Sequence, residues 1–180
     1  MSEIYFTSDT HFHHKRIIEF CPNTRLGSTI EEHDQLLIEA INRVVTPKDT
    51  LYMLGDISWS KVDRTKEILS QLNGHKNLIL GNHDHQISQE GFSKIFEHIS
   101  HYREVKIDKT DVIMCHYPMV EWNKGHHGSV MLHGHCHGSY VGAGKIVDVG
   151  VDGILTKNME PVHWETIAEY VKNREVIKHH

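Results

Sequence analysis

Five short polar strings, each closing an apolar run, constrain this chain more than any other feature. Asp9-Thr10-His11 follows Ile4-Tyr5-Phe6, Gly55-Asp56 follows Leu51-Tyr52-Met53-Leu54, and Gly81-Asn82-His83-Asp84 follows Asn77-Leu78-Ile79-Leu80. Cys115-His116 follows Val112-Ile113-Met114, and Gly134-His135-Cys136-His137 follows Val130-Met131-Leu132-His133. A short apolar run bounded by such residues reads as a buried strand, and a strand hands the residues after it to a shared sheet edge. The strings bring carboxylates, imidazoles and an amide together without a thiolate in a ligand role. Such a donor set suits Mn²⁺, Fe, Ni²⁺, Co²⁺ or Zn²⁺ in an open catalytic site better than a closed structural zinc.

The rest of the chain supplies helices between these strands. Thr29-Ile30-Glu31-Glu32 is a capping-box signal that opens a helix carrying Leu37, Ile41 and Val44 and ending before Pro47. Ser60 to Leu72 reads as a second helix stopped at Asn73-Gly74, and Phe92, Ile95, Phe96 and Ile99 mark a shorter third. The second half turns β-rich, with strands expected over 101–107, 112–116, 130–133 and 146–151. A last helix after Pro161 carries Trp164, Ile167, Ala168 and Val171 on one stripe. This order predicts two packed sheets flanked by helices.

The motif series D-x-H, G-D, G-N-H-D, a lone His and G-H-x-H, in that order, resembles the calcineurin-like metallophosphoesterase superfamily. Within it, Asp9-Thr10-His11-Phe12 to His14, Leu54-Gly55-Asp56, His116-Tyr117-Pro118 and Val149-Gly150-Val151-Asp152 are similar to the small single-domain phosphoesterases of bacteria and bacteriophages. The resemblance covers most of the chain and implies an α/β fold, a four-layer α/β/β/α sandwich of two mixed sheets flanked by helices. It further implies two divalent metal ions. Asp9, His11, Asp56 and His137 would hold one, and Asp56, Asn82, His116 and His135 the other, with Mn²⁺ the first expectation. His83 would protonate the leaving oxygen or stabilise the charged transition state, with Asp84 orienting it.

The residues themselves support this chemistry. Asp9 and His11 are two apart, so an extended backbone would send both side chains to one face, and His135 and His137 repeat that spacing. Asp56 is the natural bridging carboxylate between cations about 3.5–4 Å apart. Two such cations bring four positive charges and Asp9 and Asp56 return two, so the pocket attracts phosphate although the chain carries a formal charge of −5. A metal-bound water would supply hydroxide near neutral pH for in-line attack on phosphorus. A positioned imidazole acid such as His83 contributes about 10²–10⁴-fold.

The expected function is hydrolysis of a small phosphate ester, foremost a cyclic or linear nucleotide diester. A nuclease on single-stranded ends and a phosphomonoesterase are the alternatives, and a non-catalytic scaffold comes last. Nucleic acid is not favoured as a partner, because no basic run accompanies the negative net charge. Gly55-Asp56-Ile57-Ser58-Trp59 and Gly81-Asn82-His83-Asp84 depart from the G-D-x-x-D-R-G and G-N-H-E of the phosphoprotein phosphatases. The 180 residues suit one domain over 1–178, and His179-His180 read as the start of an affinity tag and are set aside. No apolar stretch approaches a membrane span, and three cysteines without framework spacing suit a reducing, cytoplasmic location.

Four substrate contacts are expected on loops. His14 and Arg25, in the loop after the first strand, either touch a phosphate oxygen or are solvated. Trp122 either offers an aromatic face to a base or sugar or packs on the sheet, and Lys124 offers a charge. Cys136, between two ligands, is expected to face away from them, with Cys21 and Cys115 as buried thiols. His33, His75, His85, His98, His101 and His163 are read as surface residues.

Overall fold

A computed structural model describes residues 2–178, so the reading of His179-His180 as a tag lies outside the described residues. The elements run β1 (Ile4–Thr7), α1 (Ile17–Phe20), α2 (Ile30–Val44), β2 (Thr50–Met53), α3 (Val62–Ser70), β3 (His75–Ile79), α4 (Gln89–Phe92) and β4 (Phe96–Ser100). After these come β5 (Tyr102–Ile107), β6 (Thr110–Cys115), β7 (Val130–His133), β8 (Ile146–Asp148), β9 (Val162–His163) and α5 (Trp164–Lys172). One sheet has the order β4-β3-β2-β1-β9, parallel except for β9, and the other has the order β5-β6-β7-β8, parallel except for β5. Two mixed sheets with flanking helices were expected, and this is that architecture.

Alternation along the strands explains the layers. In β2, Leu51 and Met53 point to the outer face, where they meet Leu37 and Ile41 of α2 and Ile68 and Leu69 of α3. Tyr52 and the following Leu54 point inward, with Phe6 and Ile79, against Val112, Met114, Val130 and Leu132 of the second sheet. Trp164, Ile167 and Val171 of α5 close this inter-sheet core. The outer face of the second sheet, carrying Ile113, Met131 and Ile146, is covered by Met119 and Trp122 from the loop between β6 and β7. Among the described residues no helix is long and apolar enough to cross a membrane.

The expected capping box is half present. Thr29 accepts from the Glu32 amide at 3.2 Å, while the Glu32 carboxylate reaches the Ser28 amide, one residue further back, at 2.7 Å. The third expected helix is mostly a strand. Its first turn is α4, and Phe96 and Ile99 belong to β4, paired parallel with β3. A register shift leaves Glu97 as an extra residue, so Phe96 stands opposite Lys76, His98 opposite Asn77 and Ile99 opposite Leu78. Phe96 and Ile99 therefore share a face at a spacing of three, and a bulge has imitated a helical period. His33 is buried rather than exposed, because it lies on the packed side of the first turn of α2 and donates from Nδ1 to the Leu26 carbonyl at 2.9 Å.

Leu51 sits fully buried in the middle strand of the first sheet. Leu51→Ala should lose about 2–5 kcal/mol in equilibrium urea unfolding at unchanged m-value.

Candidate metal centre

The C-terminal ends of β1, β2, β3, β6 and β7 open onto one cleft, and the five polar strings are the turns that leave them. The turns are not extended. Asp9 (φ +55°), His11 (+47°), Asp56 (+54°), His135 (+67°) and His137 (+47°) all have left-handed backbone, so convergence of Asp9 with His11 and of His135 with His137 does not come from strand alternation. Left-handed non-glycine residues cost energy and persist where their surroundings hold them. Here the first two turns are zipped together by Asp9 N to Gly55 O (2.9 Å), His11 N to Asp56 O (3.0 Å) and Phe12 N to Ile57 O (3.0 Å). Gly55 and Gly81 back onto each other so closely that a Cβ on Gly55 would lie 2.5 Å from the Gly81 nitrogen. That contact brings Asp56 beside Asn82.

Seven side chains meet there in two groups that share Asp56. Donor atoms of Asp9, His11 and His137 lie within 4.8 Å of one another, as do those of Asp56, His116 and His135. Asp56 Oδ2 is 3.9 Å from His11 Nε2, and its Oδ1 is 3.6 Å from His116 Nε2, so the carboxylate presents one oxygen to each group. Asn82 Oδ1 lies 3.1 Å from His116 Nε2.

The tautomers decide what these contacts are. His116 Nδ1 is 2.7 Å from the Leu54 carbonyl, which can only accept, so Nδ1 carries the proton and Nε2 a lone pair. That lone pair faces two other acceptors, the oxygens of Asn82 and Asp56. His137 is fixed from the same side. Its Nδ1 donates to Asp152 Oδ2 at 2.7 Å, a bond that raises the pKa of the ring, and its Nε2 lies 3.3 Å from His11 Nε2. The other His11 nitrogen, Nδ1, is buried without a partner. Donors about 2.1 Å from a common cation stand about 3.0–3.4 Å apart at octahedral or tetrahedral angles, which matches both the 3.1 and the 3.3 Å contacts. The donor set therefore fits bound divalent metal.

The electrostatics agree. Burial pushes the Asp9 carboxyl up to about 6 against the pull of His116 and His137, so the carboxylate would gain strongly from a nearby cation. Burial, with His137 and Arg25 nearby, lowers His11 to about 2 and keeps its ring neutral and able to donate a lone pair. Burial and the neighbouring His116 lower His135.

No family model matches the chain. It is 32% identical to the gene 66 protein of Mycobacterium phage L5 over 84% of this chain and 87% of that one. It is 31% identical to the uncharacterized protein MJ1445 of Methanocaldococcus jannaschii over 99% of this chain and 96% of that one. The chain belongs to one family with these two proteins. The fold is also that of AQ665 from Aquifex aeolicus, a protein of unknown function, with a TM-score of 0.74 and 24% identity, covering 95% of this chain and all of that one.

Around the seven donors the chain has a supporting layer that sequence reasoning assigned differently. Arg25 does not reach toward substrate. Its side chain is fully buried, bonded to both oxygens of Asp152 and to the carbonyls of Asp9 (2.7 Å) and Thr10 (3.3 Å). It ties the first turn to the carboxylate that sets the His137 tautomer. Burial alone would raise Asp152, but the hydrogen bonds from His137 and Arg25 outweigh it and hold the carboxyl well below the usual range. Cys21 is half-buried rather than buried, with its sulfur 3.8 Å from His137 Nδ1. Cys115 and Cys136 are likewise half-buried.

Asp84 is turned away from the His83 ring. It accepts from the amides of Asp56 and Gly81 at 2.8 Å and of Ile57 at 2.9 Å, and so pins the second and third turns together. Two further expected contacts are structural. Trp122 lies on the outer face of the second sheet and donates to the Ser129 carbonyl at 3.2 Å. Lys124 pairs with Asp111 at 3.2 Å, near the start of β6 and about 16 Å along the strand from His116.

His14 and His83 remain at the cleft. His83 donates its amide to Asp56 Oδ1 at 2.9 Å, while its ring, 42% exposed, stands outside both donor groups. His14 Nδ1 is buried without a partner. Between their rings stands Trp59, 4.3 Å from His14 and 4.1 Å from His83, a residue that sequence reasoning passed over. Its only signal was an aromatic three residues beyond the G-D string.

Asp84→Ala would strand three amides of the turns that carry Asp56 and Asn82. It should cost on the order of 3 kcal/mol in denaturant unfolding and weaken Mn²⁺ binding by calorimetry, whereas Asp84→Asn, which keeps one acceptor, should recover part of both.

Proposed function

We propose that this chain is a metal-dependent phosphodiesterase acting on small phosphate diesters, foremost cyclic or linear nucleotides, with His83 as general acid. The observation that carries the reading is the meeting of acceptor with acceptor at His116 Nε2 and Asn82 Oδ1, 3.1 Å apart, with the imidazole proton committed to Leu54. Asp9, His11, Asp56 and His137 would hold one cation, and Asp56, Asn82, His116 and His135 the other. Manganese is the first metal to test, with iron, nickel, cobalt or zinc as alternatives, since carboxylate, amide and imidazole donors without thiolate suit all of them. Two divalent cations bound there supply an activated water and electrophilic stabilisation of the phosphoryl oxygens.

The chain's own residues do the rest. Asp9 and Asp56 bring two negative charges to the donor set and the other five donors are neutral, so the loaded cleft keeps a positive balance and binds phosphate. The ring of His83 is held beside this cleft by its backbone bond to Asp56 and keeps an open side toward the solvent. From there it can pass a proton to the oxygen that departs, which an alkoxide needs and a nitrophenolate does not. Diesters with alkyl leaving groups are the substrates that such an acid serves.

Elemental analysis after Mn²⁺ loading and desalting should find two equivalents in the native chain and fewer than one in Asp56→Asn, with activity on any phosphate ester down at least about 100-fold. His83→Ala should keep both metals and lose about 10²–10⁴-fold on diesters with alkyl leaving groups, but under tenfold on nitrophenyl esters. Equal losses on the two would remove the acid role.

A further inference from the structure

We propose that Trp59 is a stacking platform for the leaving alcohol of the substrate, and that this alcohol carries a nucleobase. The inference rests on the phosphodiesterase reading and adds which arm of the diester is recognised, and by what. Trp59 is 44% exposed and belongs to none of the three apolar clusters, so its indole is not there to fill the core. Its neighbours are imidazoles instead: His83 at 4.1 Å, His14 at 4.3 Å and His11 at 5.2 Å between ring centroids.

The position is rigidly set. Trp59 N donates to Phe12 O at 2.8 Å, continuing the zipper that runs from Asp9 to Phe12, so the indole is indexed to the turn that carries His11. The indole and the His83 ring together line a cavity of about 310 Å³, at the small end of the range for ligand pockets, about 300–1,000 Å³. Its other walls are Ser58, Ser60, Lys61, His85 and Gln86.

Ser60 adds an independent sign of a missing ligand, because its hydroxyl is buried without a hydrogen-bond partner. A cavity that combines an open aromatic face, an unsatisfied hydroxyl, an amide and a cation suits a flat heteroaromatic ring with polar edges. His83 fixes which arm of the diester enters. The proton donor must stand at the departing oxygen, so the cavity on its side receives the leaving group. In hydrolysis, the oxygen of water bonds to phosphorus and gives its proton to solvent, from which His83 is later reprotonated, and the P–O bond to the nucleoside breaks. The departing oxygen takes its proton from the His83 ring and leaves as the nucleoside hydroxyl.

The test uses adenosine 5′-(methyl phosphate), which can lose either alcohol, with the Mn²⁺-loaded full chain. The native protein should release mainly adenosine and methyl phosphate. Trp59→Ala and Trp59→Leu should move the product ratio about tenfold toward adenosine 5′-phosphate and methanol and weaken adenosine 5′-phosphate binding by calorimetry about tenfold. Trp59→Phe should stay within about threefold on both, and metal content should be unchanged in all three. The leucine variant keeps apolar bulk at the site, so a loss shared with alanine reports the missing aromatic face. An unchanged product ratio and affinity in both variants would overturn the platform. If the native protein cleaves no diester, the phosphodiesterase reading fails by itself, and the affinity comparison alone then decides the role of Trp59.

Discussion

Lone pairs aimed at one another are the constraint on which the centre of this molecule depends. Leu54 O and Asp152 take the Nδ1 protons of His116 and His137, and the opposite nitrogens are left facing the Asn82 oxygen at 3.1 Å and the His11 imidazole at 3.3 Å. The contact between His116 Nε2 and the Asn82 oxygen repels unless a positive charge lies between them. Much of the surrounding structure can be understood as holding that repulsive geometry in place: the Asp84 clamp across two turns, the buried Arg25–Asp152 pair, and the direct contact of Gly55 with Gly81.

The fold serves the same end. Two sheets packed face to face place five strand ends along one edge, and apolar residues on both faces of β2 fix that strand between α2, α3 and the second sheet. A cleft assembled from strand ends has a rigid floor, because every donor-bearing turn starts from a strand held by neighbours. What rises above that floor is the group of rings His83, His14 and Trp59, which we propose to face substrate.

Much of this was legible in the amino-acid order. Buried parallel strands declare themselves as short apolar runs, and the donors at their ends declare a metal site, because few other uses combine imidazole and carboxylate at such spacing. Where reading failed, a local rule met a non-local one. Phe96 and Ile99 looked helical because a bulge at Glu97 changed a period of two into a spacing of three. Arg25 looked like a phosphate contact because a loop arginine has no visible partner in sequence, and its partner, Asp152, is 127 residues away. Asp84 looked like the orienting group for its neighbour, yet its bonds run to backbone amides, two of them in another turn. Trp59 was missed because exposure, and not identity, separates a cleft aromatic from a core one.

The left-handed backbone of the donor turns has a consequence for how this site can change. Asn, Asp and His enter that region more readily than most other residues, and β-branched residues scarcely enter it at all. Asp9, His11, Asp56, His135 and His137 are thus selected twice, once for the atom they present and once for the φ they tolerate. Exchanging one of them for a longer carboxylate or a cysteine would tax the turn as well as the coordination. Drift at these positions is therefore confined to a very small alphabet, and a descendant that abandons metal chemistry would keep an Asn or Gly there as a scar of the bend.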